Sequence, residues 1–87
     1  MQITIQKTPN PNAMKFCLES PVFSQRLELE KGQTVSSSPL LCSLLDLTGV
    51  ESLFCCRDFV TVSKSSSSSW EELLPSIQAL FAENNHF

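Results

Sequence analysis

The sequence predicts an α+β fold, a two-layer α/β sandwich in which two helices cover one face of a five-stranded mixed sheet. Five short segments alternate apolar with polar residues or are rich in β-branched and aromatic residues, as strands are. Two further segments begin with serine and continue with apolar residues at helical spacing. The segments follow the order β-β-β-α-β-β-α, and a chain of 87 residues has room for one domain.

Three strands are predicted before the first helix and two after it. Residues 1–6, 14–19 and 26–30 each alternate apolar with polar side chains, and Lys31 and Gly32 close the third strand. The apolar runs at 50–56 and 59–64 are separated by two residues, which predicts a hairpin. Each helix offers one apolar face, so both helices are expected on the same side of the sheet. The opposite face of the sheet is left to solvent or to a partner.

Both helices carry start signals. Serines 36–38 followed by Pro39 combine an N-cap residue with proline at the first helical position, and Gly49 is placed to end this helix. Ser69 with Glu72 three residues later forms a capping box for the second helix. The apolar stripe of that helix consists of Trp70, Leu73, Leu74, Ile77, Leu80 and Phe81.

Composition excludes several classes of function. The formal charge of −3 and the pI of about 4.9 argue against a nucleic-acid binder, which needs a basic face. No apolar run reaches the roughly 18 residues that a membrane span requires. No secretory signal is visible, so a cytoplasmic protein with reduced thiols is expected. Residues 1–83 are predicted to form the single domain, and residues 84–87 a disordered tail.

The cysteines are the only candidate metal ligands that the sequence singles out. Cys17 and Cys42 lie among apolar residues and are expected in or near the core. Cys55 and Cys56 are adjacent, so in a strand one is expected to be buried and the other exposed. An exposed thiol could bind metal across a dimer, but neighbours on opposite faces chelate one ion poorly, and a purely structural role is the alternative.

An enzyme is not expected. The only histidine, His86, is next to the last residue, and the chain has too few glycines for a phosphate-binding loop. A thiol nucleophile at Cys55 or Cys56 would need a nearby base, and the sequence offers no histidine for it.

Two turns are candidate partner-binding sites. Pro9, Asn10, Pro11 and Asn12 form a stiff, exposed turn that suits recognition at low entropic cost, although a purely structural turn is the alternative. The corner at Asp58 and Phe59 lies between the two strands of the predicted hairpin and is expected to neighbour that turn; there the aspartate could equally be a local turn cap. Trp70 is either a core residue or a partner anchor.

The chain resembles the N-terminal domain of NifU/Nfu-type scaffold proteins over residues 3–81. The resemblance rests on TPNPNAMKF at 8–16, on the helix and strand within 38–54, on DFVTVSK at 58–64, and on the pattern of Trp70, Leu73, Pro75 and Ile77. It implies a compact α/β domain associated with iron–sulfur cluster assembly and delivery. It also implies that the cluster is carried by a separate C-terminal domain with a C-x-x-C motif, which this sequence lacks.

The leading hypothesis is therefore a non-catalytic accessory or docking module of iron–sulfur cluster assembly. It is expected to be a monomer that binds iron–sulfur assembly proteins or apo-client proteins and has no cofactor of its own. The alternative is direct binding of iron or an iron–sulfur cluster through Cys55 or Cys56 in a dimer. A thiol redox enzyme is a third hypothesis, which the missing base and C-x-x-C disfavour.

Overall fold

The computed structural model describes residues 2–32 and 38–84. Its elements follow the predicted order β-β-β-α-β-β-α and form an α+β fold, which confirms the predicted fold class. The predicted tail residues 85–87 and the serines at 36 and 37 lie outside the described residues. The elements are β1 (Ile3–Lys7), β2 (Ala13–Leu18), β3 (Phe23–Glu30), α1 (Pro39–Asp46), β4 (Val50–Arg57), β5 (Phe59–Lys64) and α2 (Trp70–Glu83).

The five strands form one sheet in the order β1-β2-β5-β4-β3, and all four pairings are antiparallel. The sheet is therefore antiparallel throughout, and the expectation of a mixed sheet is wrong. After β2 the chain crosses the end of the β4–β5 hairpin, where the Leu18 N–H donates to the Asp58 carbonyl and the Val22 N–H to the Arg57 carbonyl. β3 therefore begins where β4 ends, with Phe23 opposite Arg57, and the two strands run in opposite directions.

Serine caps begin both helices, as predicted. The Ser38 hydroxyl accepts from the Leu41 N–H at 3.3 Å, with Pro39 in the first turn. The Ser69 hydroxyl accepts from the Glu71 N–H at 3.1 Å. In the predicted capping box the donor would be the N–H of Glu72, one residue later. No helix in the described residues has the length and hydropathy to span a bilayer.

The first helix ends at Asp46, before the predicted Gly49. Its last carbonyls are bound by Lys31, whose Nζ donates to the carbonyl oxygens of Leu45 and Leu47 at 2.8 Å. Gly49 instead lies at the entry to β4 with a φ of +99°, and an added Cβ would collide with the Ser68 hydroxyl. Gly49 is thus required by backbone conformation and by close packing.

The hydrophobic core lies between the sheet and the helices. Phe16 of β2 stacks on Phe81 of α2, with ring centroids 6.0 Å apart. The alternation of side chains along the strands places every second residue in this core. The fully buried side chains are Phe16, Leu40, Leu41, Leu44, Val50, Leu53, Cys55, Val60, Val62, Ile77 and Phe81.

The other face of the sheet, here called the open face, carries the intervening strand residues. They are half-buried rather than fully exposed on the central strands. The central members are Lys15, Cys17, Phe54, Cys56, Phe59 and Thr61.

Candidate protein-interaction site

Pro9, Asn10, Pro11 and Asn12 connect β1 to β2 and are called the 9–12 turn. Three polar groups order this turn from within. The Asn10 side-chain oxygen accepts from the Asn12 N–H at 2.9 Å, and the Asn10 carbonyl accepts from the Ala13 N–H at 3.0 Å. The hydroxyl of Thr8 accepts from the Asn10 N–H at 3.2 Å. An asparagine that bonds its own turn in this way stabilises the turn without any partner.

Two side chains from distant parts of the sequence fasten the 9–12 turn to the fold. The indole N–H of Trp70 donates to the Pro11 carbonyl at 2.9 Å. Lys64, which is only 9% exposed, donates from Nζ to the Asn12 side-chain oxygen at 2.9 Å. The backbone N–H of Lys64 also donates to the Asn12 carbonyl at 2.8 Å. The turn is therefore stabilised both by its own hydrogen bonds and by hydrogen bonds from Lys64 and Trp70.

Lys64 is an unusual residue to find buried, because a buried ammonium group is costly unless hydrogen-bonded. Its Nζ bonds the neutral oxygens of Asn12 and Ser65 and lies 5.9 Å from the centroid of the Trp70 ring. Cation–π attraction to the indole adds to these bonds. Nothing in the sequence pattern distinguished Lys64 from a surface lysine at the end of a strand.

A depression of about 320 Å³ lies beside the 9–12 turn. Pro9, Asn10 and Pro11 of the turn line it. The rest of the lining consists of Lys7, Thr8, Ala13, Met14 and Trp70. Trp70 is half-buried: it packs against the core, as one of its two predicted roles requires, and it also lines this depression.

Asp58 and Phe59 lie at the opposite end of the sheet from the 9–12 turn. β2 begins at the turn and ends beside this corner, because Ala13 pairs with Ser63 while Cys17 pairs with Phe59. The expectation that the two turns are neighbours is therefore wrong: the register of β2 with β5 separates them by the length of a strand.

Phe59 itself belongs to the open face. Its ring stacks on that of Phe54 with centroids 6.0 Å apart, and the Nζ of Lys15 lies 4.3 Å from its centroid. Cys17 and Cys56 flank it on the neighbouring strands. Cys17, expected in or near the core, is half-buried on the open face, because the alternation along β2 places its side chain opposite those of Phe16 and Leu18.

The two adjacent thiols, Cys55 and Cys56, differ in burial and face opposite sides of the sheet. Cys55 is fully buried, and burial raises its pKa from 9.0 to about 12, which opposes the thiolate that a metal needs. Cys56 is half-buried on the opposite face, as the strand alternation predicts. Residues 2–32 and 38–84 contain no group of three or more His, Cys, Asp or Glu that could hold a metal ion. Within one copy of the chain, these residues supply no set of ligands for a cluster; His86 lies outside the described part of the chain.

Comparison with known proteins places this geometry in a family. Residues 3–86 match the family model described as scaffold protein Nfu/NifU N terminal. The human NFU1 iron-sulfur cluster scaffold homolog, mitochondrial, is 38% identical over 81 residues, which are 91% of this chain and 32% of that protein. A NifU-like protein of Schizosaccharomyces pombe is 34% identical over 85 residues, 94% of this chain and 33% of its own length.

A solved structure agrees with these matches. The crystal structure of the Staphylococcus aureus protein SAV1430 superimposes with a TM-score of 0.81 at 36% identity, covering 93% of this chain and 99% of that one. The chain spans about a third of the length of the curated relatives that it matches. It belongs to the Nfu/NifU N-terminal family.

Proposed function

We propose that this chain is a non-catalytic docking module that binds a protein partner during iron–sulfur cluster assembly or delivery. The observation that carries the proposal is that the 9–12 turn is ordered by contacts within the chain itself, without a partner. Thr8 and Asn10 fix it from within, and Lys64 and Trp70 tie it to the core. A binding surface fixed in advance loses little conformational entropy on association.

The names of the relatives support a class of partner for this chain. The human relative is named as an iron-sulfur cluster scaffold, and this chain corresponds to about a third of it. We therefore propose iron–sulfur assembly proteins or apo-client proteins as the partners. In this proposal the module is a cytoplasmic monomer, and the cluster is cargo held by another domain or protein.

The chemistry of the thiols supports a docking role over a catalytic or cluster-holding one. Cys55 is buried with a pKa near 12, so its thiolate is scarce at neutral pH. Cys56 points to the opposite face of β4, so the two adjacent thiols cannot bind one ion together.

Calorimetry with purified partners tests the proposal. The wild-type chain is titrated with iron–sulfur assembly proteins and with apo-client proteins, and we expect at least one of them to bind. Asn10→Ala removes the side-chain oxygen that orders the 9–12 turn and should weaken that binding about tenfold. Gln25→Ala removes a similar amide from exposed β3 and should leave binding unchanged. Absence of binding to every protein, or equal binding by wild type and Asn10→Ala, would refute the proposal.

A further inference from the structure

We propose that the partner binds as an extended strand along the outer edge of β1, with an apolar side chain in the depression beside Trp70 and an acidic residue next to Lys7. This inference rests on the proposed docking function and specifies its binding mode. Strand addition of this kind draws affinity from main-chain hydrogen bonds and specificity from pockets for alternate side chains.

The edge of β1 is open and regular. In the described part of the chain, β1 pairs only with β2, so alternate residues direct their N–H and C=O groups outward. The pairing runs without interruption from Ile3 opposite Leu18 to Lys7 opposite Met14. Natural sheets protect their edges with bulges, prolines or charges, and residues 3–6 of β1 carry none of these.

The other edge of the sheet is protected. β3 shifts register between Phe23 and Leu27, and an irregular edge is a poor template for another strand. It also carries Glu28 and Glu30, both exposed. The two edges are therefore unequal, and β1 is the one able to accept a strand.

The depression beside the 9–12 turn continues this edge. Lys7, the last residue of β1, lines it together with Trp70. An added strand would lie about 4.8 Å from β1, with every second side chain on the helix-facing side of the sheet. On that side β1 presents Ile3 and Ile5, which are only half-buried. An apolar side chain from the partner would cover these residues and fill the depression.

Charge selects an acidic partner segment. Lys7 is exposed at the end of β1 and lies at the depression, whereas the strand at the other edge is acidic. An acidic residue beside the partner's apolar side chain would be attracted by the charge of Lys7 at the β1 edge. At the β3 edge the same residue would be repelled by Glu28 and Glu30. A second copy of β1 does not supply that residue, because its sequence ITIQK has no carboxylate.

Peptide selection followed by NMR tests the inference. Random peptides of about ten residues, displayed on phage, are selected on the wild-type chain, and the best is synthesised and titrated into the ¹⁵N-labelled protein. We expect a bulky apolar residue next to an acidic one and amide shift changes concentrated on residues 3–8 and on Trp70. Methylating alternate backbone nitrogens of the peptide on its pairing edge should abolish binding, whereas methylation on the other edge should not.

A matched pair of charge reversals completes the test. Lys7→Glu should lower the affinity for the peptide about tenfold, whereas Arg26→Glu, a comparable charge reversal on the opposite edge, should leave the affinity unchanged. Strand addition is overturned if no peptide is enriched, if the shift changes fall on β3 or the open face, if methylation is tolerated on both edges of the peptide, or if the chain self-associates through β1.

The two proposals fail separately. If an iron–sulfur protein binds the chain in calorimetry but does so equally well in the presence of the selected peptide and with Lys7→Glu, docking stands and strand addition is overturned. If the peptide binds β1 but no iron–sulfur protein binds at all, the proposed function is overturned and the strand site stands.

Discussion

The indole N–H of Trp70 donates to the Pro11 carbonyl at 2.9 Å, although the two residues are 59 positions apart in the sequence. This bond joins the first residue of α2 to the turn between β1 and β2. The second helix therefore does more than cover the sheet. It also fixes the segment proposed to meet a partner.

Trp70→Phe should loosen the 9–12 turn while keeping an aromatic ring. A neutral hydrogen bond contributes about 1 kcal/mol to stability, so we expect a loss of about that size in urea unfolding. Amide exchange should accelerate at Ala13, whose N–H closes the turn on Asn10. Phe54→Leu, an aromatic change on the open face, is the control and should leave exchange at Ala13 unchanged. Unaltered exchange in Trp70→Phe would show that the bond does not order the turn.

Lys64 and Asn12 should be energetically coupled. Their side chains are bonded at 2.9 Å in a site where Lys64 is 9% exposed, and bonds to charged groups are worth about 1.5–3 kcal/mol. A double-mutant cycle with Lys64→Met and Asn12→Ala isolates this bond from the other effects of each change. We expect a coupling free energy of about 1–2 kcal/mol from urea unfolding. A coupling indistinguishable from zero would contradict the role of Lys64 as an anchor of the turn.

The features that the sequence predicted depend on local patterns. Alternation in β1, β2 and β3 and the serine caps at Ser38 and Ser69 act within a few residues, so they are legible in the sequence. The buried and exposed faces of Cys55 and Cys56 follow from the same alternation.

The features that it did not predict depend on long-range pairing. The sequence does not give the order of strands or their register, and these separate the 9–12 turn from Asp58 by the length of a strand. Cys17 is a different case, because its place on the open face follows from its alternation with Phe16 and Leu18. The roles of two lysines were not predictable from the sequence for a different reason. Lys31 and Lys64 look like ordinary surface residues, and only the fold brings carbonyl and amide oxygens to their ammonium groups.

Lys31→Met should destabilise the end of α1. The ammonium group accepts no hydrogen bonds but donates three, to the carbonyl oxygens of Leu45, Leu47 and Val50 at 2.8, 2.8 and 3.0 Å. A cation at a helix C-terminus also interacts favourably with the helix dipole. We expect a loss of about 1–2 kcal/mol in urea unfolding. Lys7→Met, which changes an exposed lysine on β1, should alter stability by less than about 0.5 kcal/mol. Equal effects of the two variants would argue against a capping role.

Cys55 should make the fold less stable in alkaline solution. Its pKa rises from 9.0 to about 12 in the folded chain because burial disfavours the thiolate. Between these values the unfolded chain has lost this proton and the folded chain retains it, so stability falls as pH rises. The slope contributed by one such group is at most about 1.4 kcal/mol per pH unit.

Cys55→Ala tests this contribution. The variant should be less stable at neutral pH because it leaves a cavity, yet its stability should fall less steeply above pH 9. Val62→Ala, which also leaves a cavity in the core but removes no titratable group, is the control and should keep the wild-type slope. Urea unfolding at several alkaline pH values gives the comparison. Parallel pH profiles for wild type and Cys55→Ala would contradict the assignment.

Iron reconstitution separates a docking module from a cluster-binding one. The chain is purified without oxygen, offered iron and sulfide, desalted, and assayed for iron per chain and for visible absorption. Because Cys55 is buried and Cys56 faces the opposite side, we expect no retained iron that depends on either thiol. Cys55→Ala and Cys56→Ser are the paired variants, and circular dichroism verifies that each is folded. Iron retained by the wild type and lost in Cys56→Ser would mean that a dimer bridges this thiol, and the cluster would then be a ligand of the chain rather than its partner's cargo.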